Sequence, residues 1–356
     1  PLLATAPDAT LRRTPASDAS ALQAPLLNEP LAISGGPPLG VAIQTAAGIQ
    51  NQWYLFRCRA DAVLNHPNPA LRKTGRGVVV ADIDWGFRLS HQDLTGRVEF
   101  ALNVKKNNDD VTHGPEVSHG TSVLGLLWGE DNDAGMLGFA PGASLWAIQA
   151  DDGSGSLDNR LWAKAIDRVV GKDSGGRPKV ILIEASTEEG GNVEMSKTIR
   201  EAIVRAIAAG AVVCVAAGNA GINAHFLDEN TCCIPPTDSI LVGATAYRVN
   251  PDVIERGPSN FGPRIDVSAP GSLGADVTCC SCGDNTYTNT FGGTSGAAAK
   301  VAGTIALVLE ADPTLTHAQV RTILRETGTA ITTADQPLGV FLNTEAAVRR
   351  ADANKQ

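Results

Sequence analysis

Little in this sequence suits a membrane or a nucleic acid. No apolar run reaches the roughly 20 residues that a helix needs to cross a bilayer. Basic residues are the minority, 29 Lys and Arg against 38 Asp and Glu, and the formal net charge is −9. That sign argues against non-specific binding to nucleic acid or to an anionic lipid surface. Aromatic residues make up only 4% of the chain. No signal peptide is visible at Pro1 and no Met precedes it, so an upstream segment is expected to have been removed or left out. Zinc-type cysteine pairing is poorly served as well. The seven cysteines stand at 58, 214, 232, 233, 279, 280 and 282. The clusters Cys232-Cys233 and Cys279-Cys280-Ser281-Cys282 fit C-x₂₋₄-C ligation badly. Disulfides between them are expected instead, which implies a secreted, periplasmic or extracellular setting. Their connectivity is not readable from spacing. Cys214, inside an apolar run, is expected to be a buried free thiol.

What is present is a core-forming chain. Of 356 residues, 43% are hydrophobic and 19% charged, and 37 are glycine. Residues 1–49 are rich in Ala, Pro, Ser and Thr and read as an extended arm or the remnant of a leader. From residue 50 to 356, β-like runs alternate with helical ones, which predicts one α/β domain. Gly77-Val-Val-Val-Ala-Asp-Ile-Asp84 has the near-continuous apolarity of a strand buried on both faces. Strands are also predicted at 144–149, 179–183, 211–216 and 239–243. Helices are predicted at 121–128, 158–170, 193–209, 295–309 and 316–326, the last two closing the chain. The alternation implies a mostly parallel sheet with helices on both faces. Such sheets hold their chemistry beyond the carboxyl ends of the strands.

Three loops at such positions carry an acid, an imidazole and a hydroxyl. Ile83-Asp84-Trp85-Gly86 ends the first strong strand, Ser118-His119-Gly120-Thr121 opens a helix, and Gly293-Thr294-Ser295-Gly296 opens another. Serine is a weak nucleophile at neutral pH and needs an imidazole to take its proton. A carboxylate fixes the tautomer of that imidazole and stabilises the imidazolium. Each residue also has a structural reading. Asp84 serves equally as a turn residue, and Asp82 on the same face of the strand competes with it. His91 and His113 are alternatives to His119, although only His119 precedes Gly-Thr. Ser295 suits a helix N-cap. The order acid, imidazole, hydroxyl separates this chain from α/β-hydrolases, and Gly293-Thr-Ser-Gly-Ala297 does not complete G-x-S-x-G.

Five blocks in this order resemble the subtilisin-like serine proteases, across nearly everything after residue 50. They are G-V-V-V-A-D-I-D-W-G-F-R-L-S-H-Q-D-L (77–94), H-G-T-S-V-L-G (119–125), G-F-A-P-G-A-S-L (138–145), V-A-A-G-N-A-G (215–221) and G-T-S-G-A-A-A-K-V-A-G (293–303). The resemblance implies a three-layer α/β/α fold with a mostly parallel central sheet. It implies a serine endopeptidase with Asp84 as triad acid, His119 as general base and Ser295 as nucleophile. Asn219 would donate to the oxyanion together with the Ser295 backbone N–H. A protein or peptide substrate and a propeptide inhibitor are the implied partners. No cofactor is implied for the chemistry, and structural calcium is implied at Asp93 and Asn132.

The pattern departs in three places. Trp85 replaces a small residue beside the acid, where it is expected to shield the Asp84–His119 pair or to crowd it. Ala299 and Lys300 replace a Pro and its neighbour, with Ala expected to fit a first helical turn without strain. Glu184-Ala185-Ser186-Thr187-Glu188-Glu189-Gly190 replaces a substrate-pairing Ser-Leu-Gly segment. Glu184, Ala185 and Ser186 are expected to line the substrate, with the acids favouring a basic side chain; a solvated acidic loop is the alternative. Two other functions share this fold: a peptide-binding scaffold without turnover, and a narrow processing protease or peptide ligase.

Overall fold

The structure, a computed structural model, describes residues 11–13, 44–45, 48–49, 52–114, 116–130, 135–151, 158–187, 190–224, 236–246, 254–272, 276–279, 282–331 and 336–355. Three short strands, β1 (Leu11–Arg13), β2 (Gln44–Thr45) and β3 (Gly48–Ile49), precede helices α1 (Trp53–Arg57) and α2 (Asp61–Leu64). Then come β4 (Val79–Asp84), β5 (Val98–Asn103), α3 (Val117–Trp128), β6 (Ser144–Gln149), α4 (Asn159–Gly171), β7 (Lys179–Ile183) and β8 (Ala185–Thr187). Next are α5 (Lys197–Ala208), β9 (Val212–Ala216), β10 (Ile240–Thr245), β11 (Val267–Pro270), β12 (Asp276–Cys279) and β13 (Tyr287–Phe291). The chain closes with α6 (Gly293–Ala311), α7 (His317–Thr327), β14 (Thr329–Ala330), β15 (Val340–Phe341) and α8 (Thr344–Asn354).

Nine of these strands form one sheet in the order β14-β15-β11-β10-β9-β7-β4-β6-β5. Every pair in it is parallel except β14 with β15. β4, β9 and β10 are buried at every residue because helices cover both faces. Alternation along β4 sends Val80 to the face packed by Leu124 and Leu127 of α3 and by Val301 and Ile305 of α6. Val79, Ala81 and Ile83 face the other way, onto Ile166 of α4 and Ile203 of α5. The architecture is the expected three-layer α/β/α sandwich.

Helix character follows position in these layers. α4 and α5 are amphipathic and bury one stripe each. α6 is buried at every residue except Glu310, which small residues such as Gly296, Ala297 and Ala298 allow. The predicted helix at 193–209 is divided: Val193–Met195 is a 3₁₀ turn, and α5 starts after Ser196, whose hydroxyl caps the Ile199 N–H. β5, β11 and the β12–β13 hairpin were not expected, and α8 adds a third closing helix after α7. β5 is a half-exposed edge strand with a weak apolar signal, and the four residues of β11 end in a proline.

The topology places the site. The chain leaves β4 for the edge strand β5, comes back through α3 to β6 beside β4, and then crosses through α4 to β7, on the other side of β4. This opens a crevice at the carboxyl ends of β4 and β7. α3 approaches that crevice at Gly120, where an added Cβ would lie 2.4 Å from the Gly86 carbonyl and 2.8 Å from the Phe87 ring. Gly120→Ala is therefore expected to cost about 1–3 kcal/mol in a denaturant melt. It should also lower kcat, because the neighbouring His119 must move off the end of β4.

Candidate active site

Asp84 is the last residue of β4, His119 lies in the first turn of α3, and Ser295 lies in the first turn of α6. The fold brings all three together. Asp84 Oδ2 lies 2.7 Å from His119 Nδ1, and His119 Nε2 lies 3.1 Å from Ser295 Oγ. The imidazole is therefore in the middle, donating from Nδ1 and ready to accept the hydroxyl proton at Nε2. Asp84 Oδ1 accepts the Trp85 N–H at 2.6 Å, which fixes the carboxylate plane. Ser295 is not the helix cap: that position is Gly292, with no side-chain capping bond. His91 and His113 are held elsewhere, by the Thr286 carbonyl and by Asp110.

The relay is dry. The Asp84 and His119 side chains are both 0% exposed. Trp85 meets the imidazole edge-on at 5.6 Å, and Phe291 does so at 5.5 Å. Trp162 backs Trp85 at 5.0 Å. Trp85 thus shields the pair and does not crowd it. Gln149 secures the loop by donating Nε2 to the Trp85 and His113 carbonyls at 2.7 and 2.6 Å.

Asn219 follows β9 and meets the start of α6. Its Oδ1 accepts the Thr294 N–H at 2.9 Å and the Thr294 hydroxyl at 2.8 Å. Those bonds decide which end of the amide is the oxygen and direct the donor end elsewhere. Gly293 has φ +66°, and a Cβ there would sit 3.0 Å from Asn219 Nδ2. Both the backbone and the close approach require glycine. Ser295 lies within the first helical residues, whose N–H groups have no partner inside the helix and carry the positive end of its dipole. Thr294, Phe291 and Gln149 were not assigned from sequence. Thr294 stands inside the 293–303 block and Phe291 two residues before it, but only contacts reveal what they do.

The departures resolve as follows. Ala299 falls in the second turn of α6, not the first, because the helix begins at Gly293. Lys300 is buried, with Nζ 2.9 Å from the Pro270 carbonyl, 3.2 Å from the Gly296 carbonyl and 4.8 Å from the Tyr54 ring centre. Ala185 and Ser186 form β8, which β1 pairs in antiparallel register: Leu11 opposite Thr187, Arg12 opposite Ser186, Arg13 opposite Ala185. Glu184 does not point outward. It is fully buried, and its carboxyl lies with those of Asp82 and Asp84 within 4.8 Å. Burial, then the charges of Asp82 and Asp84, push the Glu184 carboxyl far up. Burial, then Asp84, do the same to Asp82.

Asp93 is buried as well. Its carboxylate accepts the Met136 N–H at 3.2 Å and faces the Cys279 thiol at 3.8 Å and the Tyr287 hydroxyl. Calcium wants six to eight oxygen ligands, and these neighbours are hydrogen-bond donors, so the described surroundings of Asp93 do not fit that ion. Asn132, Glu188 and Glu189 lie outside the described residues. Cys58, Cys214 and Cys279 are buried free thiols, as expected for Cys214. Cys279 therefore takes no part in a bridge, and Cys232, Cys233 and Cys280 lie outside the described residues.

With this geometry established, the chain can be set beside known proteins. The model of the Subtilase family matches residues 75–343. Subtilisin DY of Bacillus licheniformis is 33% identical over 279 residues, covering 77% of this chain and 92% of that protein. An extracellular serine proteinase of Thermus sp. (strain Rt41A) is 34% identical over 258 residues, covering 70% of this chain and 55% of that longer protein. Among solved structures, a protease from Pseudoalteromonas arctica PAMC 21717 superposes with a TM-score of 0.65 at 25% identity. That match covers 84% of this chain and 97% of the other.

Two substitutions probe the site directly. Asp84→Asn should lower kcat by roughly 10⁴, because the imidazole loses its tautomer, while a thermal melt stays cooperative. Asn219→Ala should lower kcat by about 10²–10³ with KM little changed.

Proposed function

The chain belongs to the subtilase family, and from that premise we propose a serine endopeptidase that works through an acyl-enzyme on Ser295. The chain is a subtilisin-like serine protease, a peptide hydrolase. The observation that carries the mechanism is the relay itself, 2.7 Å from Asp84 to His119 and 3.1 Å from His119 to Ser295.

Ser295 Oγ attacks the carbonyl carbon of the scissile bond and passes its proton to His119 Nε2. Asp84 stabilises the imidazolium through Nδ1–H. The carbonyl oxygen, now negative, takes hydrogen bonds from Asn219 Nδ2 and the Ser295 N–H. As the C–N bond breaks, His119 returns the proton to the leaving amine, and an ester on Ser295 remains. Water then attacks the ester as His119 takes its proton; the acyl C–Oγ bond breaks, His119 returns the proton to Ser295 Oγ, and the acid fragment leaves. These steps use protein side chains and water; calcium, where it binds, would be structural.

The substrate would add a strand to β8. β1 supports this reading, because three residues of the arm already sit there as an antiparallel strand. In the full chain the arm competes for the cleft, as a propeptide inhibitor would. Glu184 engages Asp82 inside the protein, so no preference for basic side chains follows from it. The extracellular relative supports a secreted protein with a protein or peptide substrate.

A fluorophosphonate should label wild-type protein and leave Ser295→Ala unlabelled at the same melting temperature. Labelling that survives in Ser295→Ala would end the mechanism. Arg12→Pro removes an N–H from β1 and should weaken its pairing. It should then lower KM for a peptide severalfold without changing kcat. A mixed peptide pool with sequenced products separates hydrolysis from ligation.

A further inference from the structure

Two carboxyls behind the triad take no part in the steps above. Asp82 is two residues before Asp84 on β4, so both project to the face covered by α3 and α6. Glu184 follows the last residue of β7, the strand that pairs with β4. Asp82 and Glu184 are each 0% exposed. No N–H or hydroxyl among the described residues donates to either Asp82 oxygen, and the Glu184 carboxyl lies within 4.8 Å of the Asp82 carboxyl. Ionised carboxylates only accept hydrogen bonds, so a bond between two of them needs a proton.

Among the described residues around Asp82, each positively charged group is engaged elsewhere. In the sheet, Asp82 lies beside Ala147 of β6 and Leu182 of β7. Cys214 on β9 is a neutral thiol, and its Sγ donates to the Ala298 carbonyl. α3 contributes His119, which is bound to Asp84. α6 contributes Lys300, whose ammonium is held by the Pro270 and Gly296 carbonyls, and Glu310, which takes the N–H groups of Thr74, Gly75 and Arg76. Asp84 is committed to His119 and to the Trp85 N–H.

We propose that Asp82 and Glu184 share one proton at neutral pH, and that this proton ties the carboxyl ends of β4 and β7 together so that Asp84 is held against His119. The pair is a positioning element of the triad. Loss of the proton puts three negative charges within 4.8 Å of one another. Repulsion then parts the two strand ends, and Asp84 moves with β4. The inference rests on the protease reading, which phosphonate labelling of Ser295 tests separately.

The pair makes both stability and turnover depend on pH. A carboxyl held above its unfolded value stabilises the fold fully below that unfolded value, near pH 4. The stabilisation is lost as pH rises through the folded value. The wild type should therefore melt at a lower temperature at about pH 10 than at about pH 6. Its kcat should fall by about tenfold over the same range, as a displacement well under 1 Å would cause, with KM little changed.

Asp82→Asn and Glu184→Gln each replace the shared proton with a permanent amide N–H. Each should flatten both alkaline falls. Infrared spectra of the wild type should show a neutral carboxylic acid carbonyl at about pH 7 that disappears at about pH 10 and is absent from Glu184→Gln. Alkaline falls that persist unchanged in both variants would overturn the proposal. So would a wild-type spectrum without the neutral acid carbonyl at about pH 7, which decides the matter even if neither variant folds.

Discussion

The imidazole of His119 must satisfy two neighbours at once, and the rest of the molecule is arranged around that demand. Nδ1 faces a strand end and Nε2 faces a helix start. Neither contact is local in sequence, so each depends on how closely whole elements approach. Gly120 lets α3 come to the turn after β4, and Gly293 lets α6 meet Asn219. The large rings of Trp85 and Phe291 then close the remaining space. Excluding water strengthens each hydrogen bond of the relay, and it raises the cost of any polar group left unmatched.

That cost appears in how buried carboxylates are treated in different parts of the molecule. Glu194 and Asp266 are buried, and Arg264 meets both, at 2.6 and 3.0 Å. Asp266 has a second arginine, Arg321, at 2.9 Å. Behind the triad, among the described residues, no arginine or lysine forms an ion pair with Asp82. An added cation there would compete with His119 for Asp84, since an opposite charge within about 4–6 Å favours the ionised acid and draws on it. A proton neutralises part of the charge without introducing a competing centre.

Much of this was legible in the sequence, for reasons specific to each part. β4, β7 and β9 announce themselves because both faces are covered, so apolarity is nearly continuous. Asp84, His119, Asn219 and Ser295 sit at element ends, where a polar residue in an apolar context stands out. β5 and β11 were hidden because one is a partly exposed edge and the other is four residues ending in Pro270. The orientation of Glu184 was hidden for a different reason. A run of acids after a strand reads as solvated, and only the register of β7 against β4 shows that its first carboxyl turns inward to Asp82. Asp82 itself was visible as a rival to Asp84, but rivalry was the wrong relation. The two share a face, and only one reaches the imidazole.

The inward turn of Glu184 also bears on how a substrate is recognised. The residues that follow it, Ala185 to Thr187, are small and buried, and what they present at the edge is backbone. Backbone pairing fixes the direction and register of a bound strand while reading little of its side chains. A pocket acid would have added selectivity through a charge-assisted bond. Here the same carboxyl lies beneath the edge, buried beside Asp82 and Asp84. If the proposed strand adds at β8, selectivity would come from the walls around it, and on the proposed shared proton the strand ends beneath would govern how well the relay is aligned. The two proposals thus place binding and alignment on opposite faces of one short segment of chain.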